Sequence, residues 1–139
     1  MVQLIVGEKG KGKTKHLLDK VNTEIKTVSG NIVYLDKSTK HMYELNNKVR
    51  LIDVSDYFIE NFSEFLGFVC GIVSQDHDLE QMYFDSFFPI SKCELSELDS
   101  CIDKLEKISE KFGVDFVISI SVKEDDLSDK AKLKVIISL

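Results

Sequence analysis

Near the amino terminus, Gly7, Gly12, Lys13 and Thr14 have the types and spacing of a phosphate cradle. They fit the pattern G-x-x-x-x-G-K-[ST] over the segment Gly7-Glu8-Lys9-Gly10-Lys11-Gly12-Lys13-Thr14. A loop that wraps a polyphosphate must aim several backbone N–H groups at it, and side chains with a Cβ obstruct that approach. Gly7, Gly10 and Gly12 supply the freedom. A helix beginning near Gly12 leaves unpaired N–H groups and partial positive charge at its start, which favours an anion there. The ammonium of Lys13 can then reach the outer phosphates, and the Thr14 hydroxyl is a small, hard oxygen suited to Mg²⁺. Glu8, Lys9, Lys11 and Lys15 complete the residues expected around the ligand. A chance match in a chain of 139 residues is on the order of half a per cent, so the pattern sets the premise for reading the remainder.

The elements that must position this loop follow from periodicity. The apolar run Val2 to Val6 predicts a strand before it, and Leu17, Leu18, Val21, Ile25 and Val28 predict a helix after it, stopping at Ser29-Gly30-Asn31. Asn31 to Asp36 predicts a buried strand that ends in an acid. The segment His41 to Leu45 is expected to turn at Asn46-Asn47 and pair as a hairpin with Val49 to Asp53. Tyr57 to Gln75 predicts an amphipathic helix whose Gly67 and Gly71 allow a close approach to the sheet or another helix. Met82 to Asp85 predicts another strand ending in aspartate. After Pro89, Ser91 and Glu94 fit a capping box opening a helix that carries Leu95, Leu98, Ile102, Leu105, Ile108 and Phe112. Val114 to Val122 and Leu133 to Leu139 predict the last two strands, separated by a polar connection with room for a helical turn. The alternation predicts an α/β domain over residues 1–139, with a mostly parallel sheet of about five or six strands and helices on both faces.

Ligands of open α/β sheets bind beyond the carboxyl ends of the strands. Those ends carry the glycine-rich loop, Asp36, Asp53, Asp85 and the pair Ser119 and Ser121. Met82-Tyr83-Phe84-Asp85 is similar to a Walker B strand, and Gly7 to Thr14 to a Walker A loop. Together they make the chain resemble a minimal RecA-like ATPase of the P-loop NTPase superfamily, in element order over nearly its whole length. The resemblance implies a three-layer fold with sheet order 5-1-4-3-2, ATP as ligand, Mg²⁺ held by Thr14 and Asp85, and a polar sensor at Ser121. Two departures bear on catalysis. Where many relatives carry a glutamate after the Walker B aspartate, this chain has Ser86, which cannot take a proton at neutral pH. RecA places its glutamate after the second strand, where this chain has Lys37 preceded by Asp36. Asp36 is therefore the candidate base, with Lys13 the other catalytic candidate. The chain also has seventeen lysines and one arginine, Arg50, the only residue able to act as an arginine finger.

The net charge is −6, yet Lys9, Lys11, Lys13 and Lys15 crowd the loop. Such local basicity suits a polyphosphate better than a nucleic acid, which needs a broad basic face. The longest uncharged apolar stretch, Phe65 to Ser74, is too short to span a membrane, and no signal peptide precedes the domain, so a cytoplasmic protein is expected. Cys70, Cys93 and Cys101 contain no C-x-x-C pair and are expected as free thiols. His16 and His77 lack metal-site spacing, and Tyr34 and Tyr57 are expected in the core or at a rim rather than stacked on a base. The expected function is ATP binding, with slow or partner-dependent Mg²⁺-dependent hydrolysis. The alternatives are a small-molecule or nucleotide kinase, for which an arginine-rich lid is missing, and a non-catalytic nucleotide-dependent switch acting on a protein partner.

Overall fold

The computed structural model describes residues 1–139. Six apolar runs form strands: β1 (Val2–Gly7), β2 (Asn31–Asp36), β3 (Arg50–Asp53), β4 (Leu79–Phe84), β5 (Asp115–Ser121) and β6 (Val135–Ser138). Five helices join them: α1 (Lys13–Glu24), α2 (Phe62–Ser74), α3 (Phe87–Ser91), α4 (Leu98–Phe112) and α5 (Asp129–Lys132). All strand pairs are parallel, in the order β3-β2-β4-β5-β1-β6. The α/β class with a parallel sheet is as the alternation predicts. The five-strand order 5-1-4-3-2 does not describe this sheet as it stands, because β3 adds a sixth strand at the edge beside β2.

Helices cover both faces, and the strands read as continuous apolar runs for that reason. Successive side chains of β1 point to opposite sides. Ile5 joins Leu17, Leu18 and Val21 of α1 on one face, with Ile32, Tyr34, Tyr83 and Val117. Leu4 and Val6 join Phe65 and Val69 of α2 and Ile102 and Leu105 of α4 on the other. The second face is strongly aromatic around the end of β4. Phe84 lies 5.4 Å from Phe65 edge-on, 5.3 Å from Phe116 and 6.3 Å from Phe87, centroid to centroid. These rings fix the strand end from which the next residue, Asp85, projects. No helix is long and apolar enough to cross a membrane.

Several local expectations are corrected. The hairpin does not form: Met42–Glu44 is a single 3-10 turn, and β3 lies parallel to β2, with Val33 opposite Arg50 and Asp36 opposite Asp53. A parallel neighbour requires a crossover rather than a tight turn, and residues 37–49 supply it. α2 begins five residues later than predicted. Phe58 takes a left-handed conformation (φ 61°), and the helix is N-capped by Asn61, whose side chain accepts from Glu64 N–H at 2.9 Å while Glu64 accepts from Glu60 N–H at 2.7 Å. Ser91 caps nothing: its hydroxyl donates to the Phe87 carbonyl at 2.6 Å and accepts from Cys93 N–H at 3.1 Å, ending α3, and α4 starts only at Leu98. Cys93 and Cys101 are buried free thiols whose pKa values burial raises, while Cys70 is exposed.

Gly67 and Gly71 make no close approach either; both lie on the exposed side of α2, and an added Cβ meets nothing within 4 Å. Each therefore carries only the entropic cost of glycine in a helix. Gly67→Ala and Gly71→Ala are expected to raise stability by about 0.5–1 kcal/mol each in urea unfolding. Lower midpoints would show that one of these positions does pack. Phe65→Ala, at a fully buried position between Phe62, Phe84 and Phe87, should lower stability by about 3–5 kcal/mol in the same assay.

Candidate functional site

The carboxyl ends of β1, β2, β4 and β5 open on one edge of the sheet, and the glycine-rich loop crosses it. After β1 the chain turns through Gly10 (φ 86°) and Gly12 (φ 92°, ψ 24°), both in the left-handed region that residues with a Cβ rarely occupy. Gly12 is the N-cap of α1 and supplies no side-chain acceptor. The first-turn N–H groups of the helix are thus left without a side-chain cap, at the positive end of its dipole. Lys13 is nearly buried, and its ammonium donates back to the Glu8 carbonyl at 3.1 Å. Burial lowers the Lys13 pKa, and the nearby Asp85 carboxylate works in the opposite direction.

Asp85, one residue past β4, ties the edge together. It is 2 % exposed, and three hydroxyls from three elements satisfy it. Thr14 Oγ1 of α1 and Ser119 Oγ of β5 each donate to Oδ1 at 3.1 Å, and Tyr34 OH of β2 donates to Oδ2 at 2.9 Å. Burial and the adjacent carboxylate push the Tyr34 phenol far above its ordinary pKa, so it remains a donor. Ser119 also accepts from Ser86 N–H at 3.0 Å. That bond helps to hold Ser86 in a left-handed conformation (φ 61°, ψ 63°), which is uncommon for a residue with a side chain. The backbone is therefore constrained directly after Asp85.

A cavity of about 560 Å³ lies above these groups. Ligand pockets of this size are usually lined by apolar side chains, but only two of its seventeen lining residues are hydrophobic. Lys9, Lys13, Lys37 and Lys40 line it together with the buried Asp36 and Asp85, so the wall is suited to a ligand with several negative charges. No protein-family model and no curated protein matches this chain.

Of the residues singled out in the sequence, Lys9, Gly10, Gly12, Lys13, Thr14, Asp36, Asp85, Ser119 and Ser121 line the cavity. Gly7, Glu8, Lys11 and Lys15 do not. Gly7 ends β1 in register with Ser121, and a Cβ on it would press on Leu139; Glu8 is drawn to Lys123, 3.7 Å away. Ser121 stays exposed at the rim, and it is Ser119 that reaches Asp85. Register explains the exchange: Phe84 pairs with Ile118, so the next residues, Asp85 and Ser119, come side by side, and Ser121 lies two residues further on. Asp53 caps its own turn by accepting from Ser55 N–H at 3.0 Å. Arg50 is exposed at the amino end of β3, away from the cavity. Tyr57 packs on Phe68, with centroids 5.2 Å apart. Two contributors were not picked out from sequence, Tyr34 as a donor and His41; Ser119 was singled out with Ser121 at its strand end, but the sensor role was assigned to Ser121. Tyr34 pairs with Tyr83, two residues before Asp85 on the same face; a tyrosine beside a strand-end acid was the available signal.

Asp36 is the strained member of the site. It is 3 % exposed; Oδ1 accepts from Lys37 N–H at 2.7 Å, and Oδ2 has no partner. Burial first, and then the Asp85 charge, push its pKa up to about 6 from the ordinary 3.8, against the smaller opposing effects of the Lys37 N–H bond and the His41 and Lys37 charges. An acid whose folded-state pKa lies above its unfolded value binds more protons in the folded state, so stability falls as pH rises from about 4 to 6. That rise corresponds to roughly 3 kcal/mol at most. Asp36→Asn is accordingly expected to be more stable than wild type by about 1–3 kcal/mol near pH 7.5 in the presence of a chelator, with the gain vanishing near pH 4. Urea midpoints across that range check it, and a pH-independent difference would reject the assignment.

Proposed function

We propose that the chain binds a nucleoside triphosphate, ATP in the first instance, with its phosphates on the Gly7 to Thr14 loop. The observation that carries this reading is the 3.1 Å hydrogen bond from Thr14 to Asp85. It joins a loop with the spelling of a phosphate cradle to an acid 71 residues later in the chain, which the sequence pairs with it as Walker A with Walker B. The four cavity lysines, the uncapped start of α1 and the left-handed glycines support the same reading. The strand order also supports it: with the edge strand β3 set aside, the other five run β6-β1-β5-β4-β2, which matches 5-1-4-3-2 once those five are renumbered along the chain. ATP is preferred over GTP because the sequence lacks the guanine-reading N-K-x-D motif.

The donor set also fits a cation. Asp85 and Thr14 offer hard oxygens, and the unpartnered Asp36 Oδ2 is a buried acceptor that neutral donors leave unsatisfied. Mg²⁺ would be held by Thr14 and Asp85 and would supply charge neutralisation for the phosphates. The chain's own part is to bind the phosphates through the loop, to direct the Lys13 ammonium at them, and to hold a proton acceptor at Asp36 beside the cavity. A raised carboxyl is better matched to accepting a proton from water near neutral pH than an ordinary one. No arginine lines the cavity, so among the side chains only lysine meets charge developing on a transferring phosphoryl group, and hydrolysis by the isolated chain is slow.

Isothermal titration calorimetry with Mg-ATP tests the binding claim. Lys13→Ala, which removes a charged phosphate contact, is expected to weaken affinity by about tenfold or more. Equal affinities for variant and wild type, with both folded by circular dichroism, would reject the loop as the phosphate site.

A further inference from the structure

We infer that the cavity is itself a binding site for a divalent first-row transition ion, held by Asp36, His41 and Asp85, and that it takes this ion without nucleotide and in preference to Mg²⁺. The site shares its cavity with the nucleotide reading but does not depend on a nucleotide being present.

One carboxylate oxygen from each aspartate and one ring nitrogen of His41 lie within 4.8 Å of one another. The three residues come from two separate parts of the chain. Asp36 ends β2, His41 follows five residues later in the crossover to β3, and Asp85 follows β4. The tertiary fold, through the pairing of β2 with β4, is what assembles them. Atoms bound at about 2.1 Å to a common ion lie roughly 3–4 Å apart. A modest rotation of His41, whose side chain is 21 % exposed while both aspartates are buried, closes the set.

The unpartnered oxygen points to a ligand independently of that proximity. Asp36 is 3 % exposed, and its Oδ2 has neither a protein donor nor access to solvent. Buried carboxylate oxygens ordinarily have a donor or a cation. The donors around Asp85 are already in use: Thr14, Ser119 and Tyr34 all bond to it, and none reaches Asp36. Two adjacent carboxylates with one unsatisfied oxygen form an acceptor arrangement that a cation completes.

His41 determines which cation. Its Nδ1 is paired with Glu44 Oε2 at 3.3 Å. With Nδ1–H donated to that carboxylate, Nε2 carries the ring's free lone pair, the second-sphere arrangement that orients metal-binding histidines. Mg²⁺ favours an all-oxygen octahedron and keeps its waters, whereas imidazole suits the later first-row ions. One nitrogen and two carboxylate oxygens, in a cavity with room for water or phosphate oxygens, therefore select an ion such as Zn²⁺ or Co²⁺ over Mg²⁺.

Titration of the full-length, chelator-treated protein with Co²⁺ and with Zn²⁺, without nucleotide, tests the site. A single equivalent should bind, excess Mg²⁺ should not displace it, and Co²⁺ absorption should report a nitrogen ligand. His41→Asn and Asp36→Asn should each weaken the metal at least about tenfold, while His77→Asn, at an exposed residue outside the cluster, should leave affinity unchanged. Circular dichroism confirms that each variant is folded. Absence of binding, ready displacement by Mg²⁺, or equal affinity in His41→Asn would overturn the inference; the first result would mean that the two aspartates share a proton instead. ATP affinity measured in parallel keeps the two readings apart. Normal ATP binding with no Co²⁺ uptake refutes only the metal site, and Co²⁺ uptake without ATP affinity refutes only the nucleotide reading.

Discussion

The carboxylate of Asp85 is the constraint on which the site edge depends. A buried charge is costly unless hydrogen bonds compensate it, and here every side-chain hydrogen bond to it comes from a neutral hydroxyl. Thr14, Ser119 and Tyr34 belong to α1, β5 and β2, so satisfying one acid fixes three elements relative to β4. The bond from Thr14 is the only one of the three that starts in a connection outside the sheet's own strands. It registers the glycine-rich loop against the strand ends, and Lys13 beside it takes its position from the same anchor.

The sheet makes that anchor rigid. Below Asp85 the end of β4 is enclosed by Phe65, Phe87 and Phe116, and on the opposite face Tyr83 stacks on Tyr34 with centroids 6.2 Å apart. Aromatic packing on both faces restricts the strand more than aliphatic contacts of equal area do, since ring orientation matters as well as distance. The polar groups thus stand on a backbone with little freedom, while the rim is built from lysines on connections. A fixed floor with adaptable charged walls suits a ligand of which one end is held more closely than the remainder.

Electrostatically, the cavity opposes two acids at its base to lysines around its mouth. Asp85 is fully hydrogen-bonded and Asp36 is not, and this difference in environment sets the two acids apart chemically. Burial and the neighbouring charge raise the Asp36 pKa to about 6, and its unpartnered oxygen places it to receive a cation or a proton. The same physical fact, one oxygen too many for the available donors, underlies its cost to stability and its readiness to take a cation or a proton.

Much of this was legible in the sequence because it depends on local pattern. Glycine spacing, the apolar runs of β1, β2, β4 and β5, and acids at strand ends are properties of short segments, and they located the loop, the α/β class and both Asp36 and Asp85. What failed did so where local pattern is ambiguous. Residues 41–53 read equally well as a hairpin and as a turn leading to a parallel edge strand, because alternation does not encode the direction of a partner. Gly67 and Gly71 looked like packing sites, yet which side of α2 faces the sheet is decided by the larger residues around them. Ser91 and Glu94 had the spelling of a cap, but Ser91 found a nearer acceptor in the Phe87 carbonyl. The choice of Ser119 over Ser121, the donation from Tyr34 and the arrival of His41 beside two aspartates were matters of register and crossover path. Sequence by itself determined which residues could do chemistry; only the tertiary structure decided which of them meet, because strand pairing brings together groups that no spacing along the chain relates.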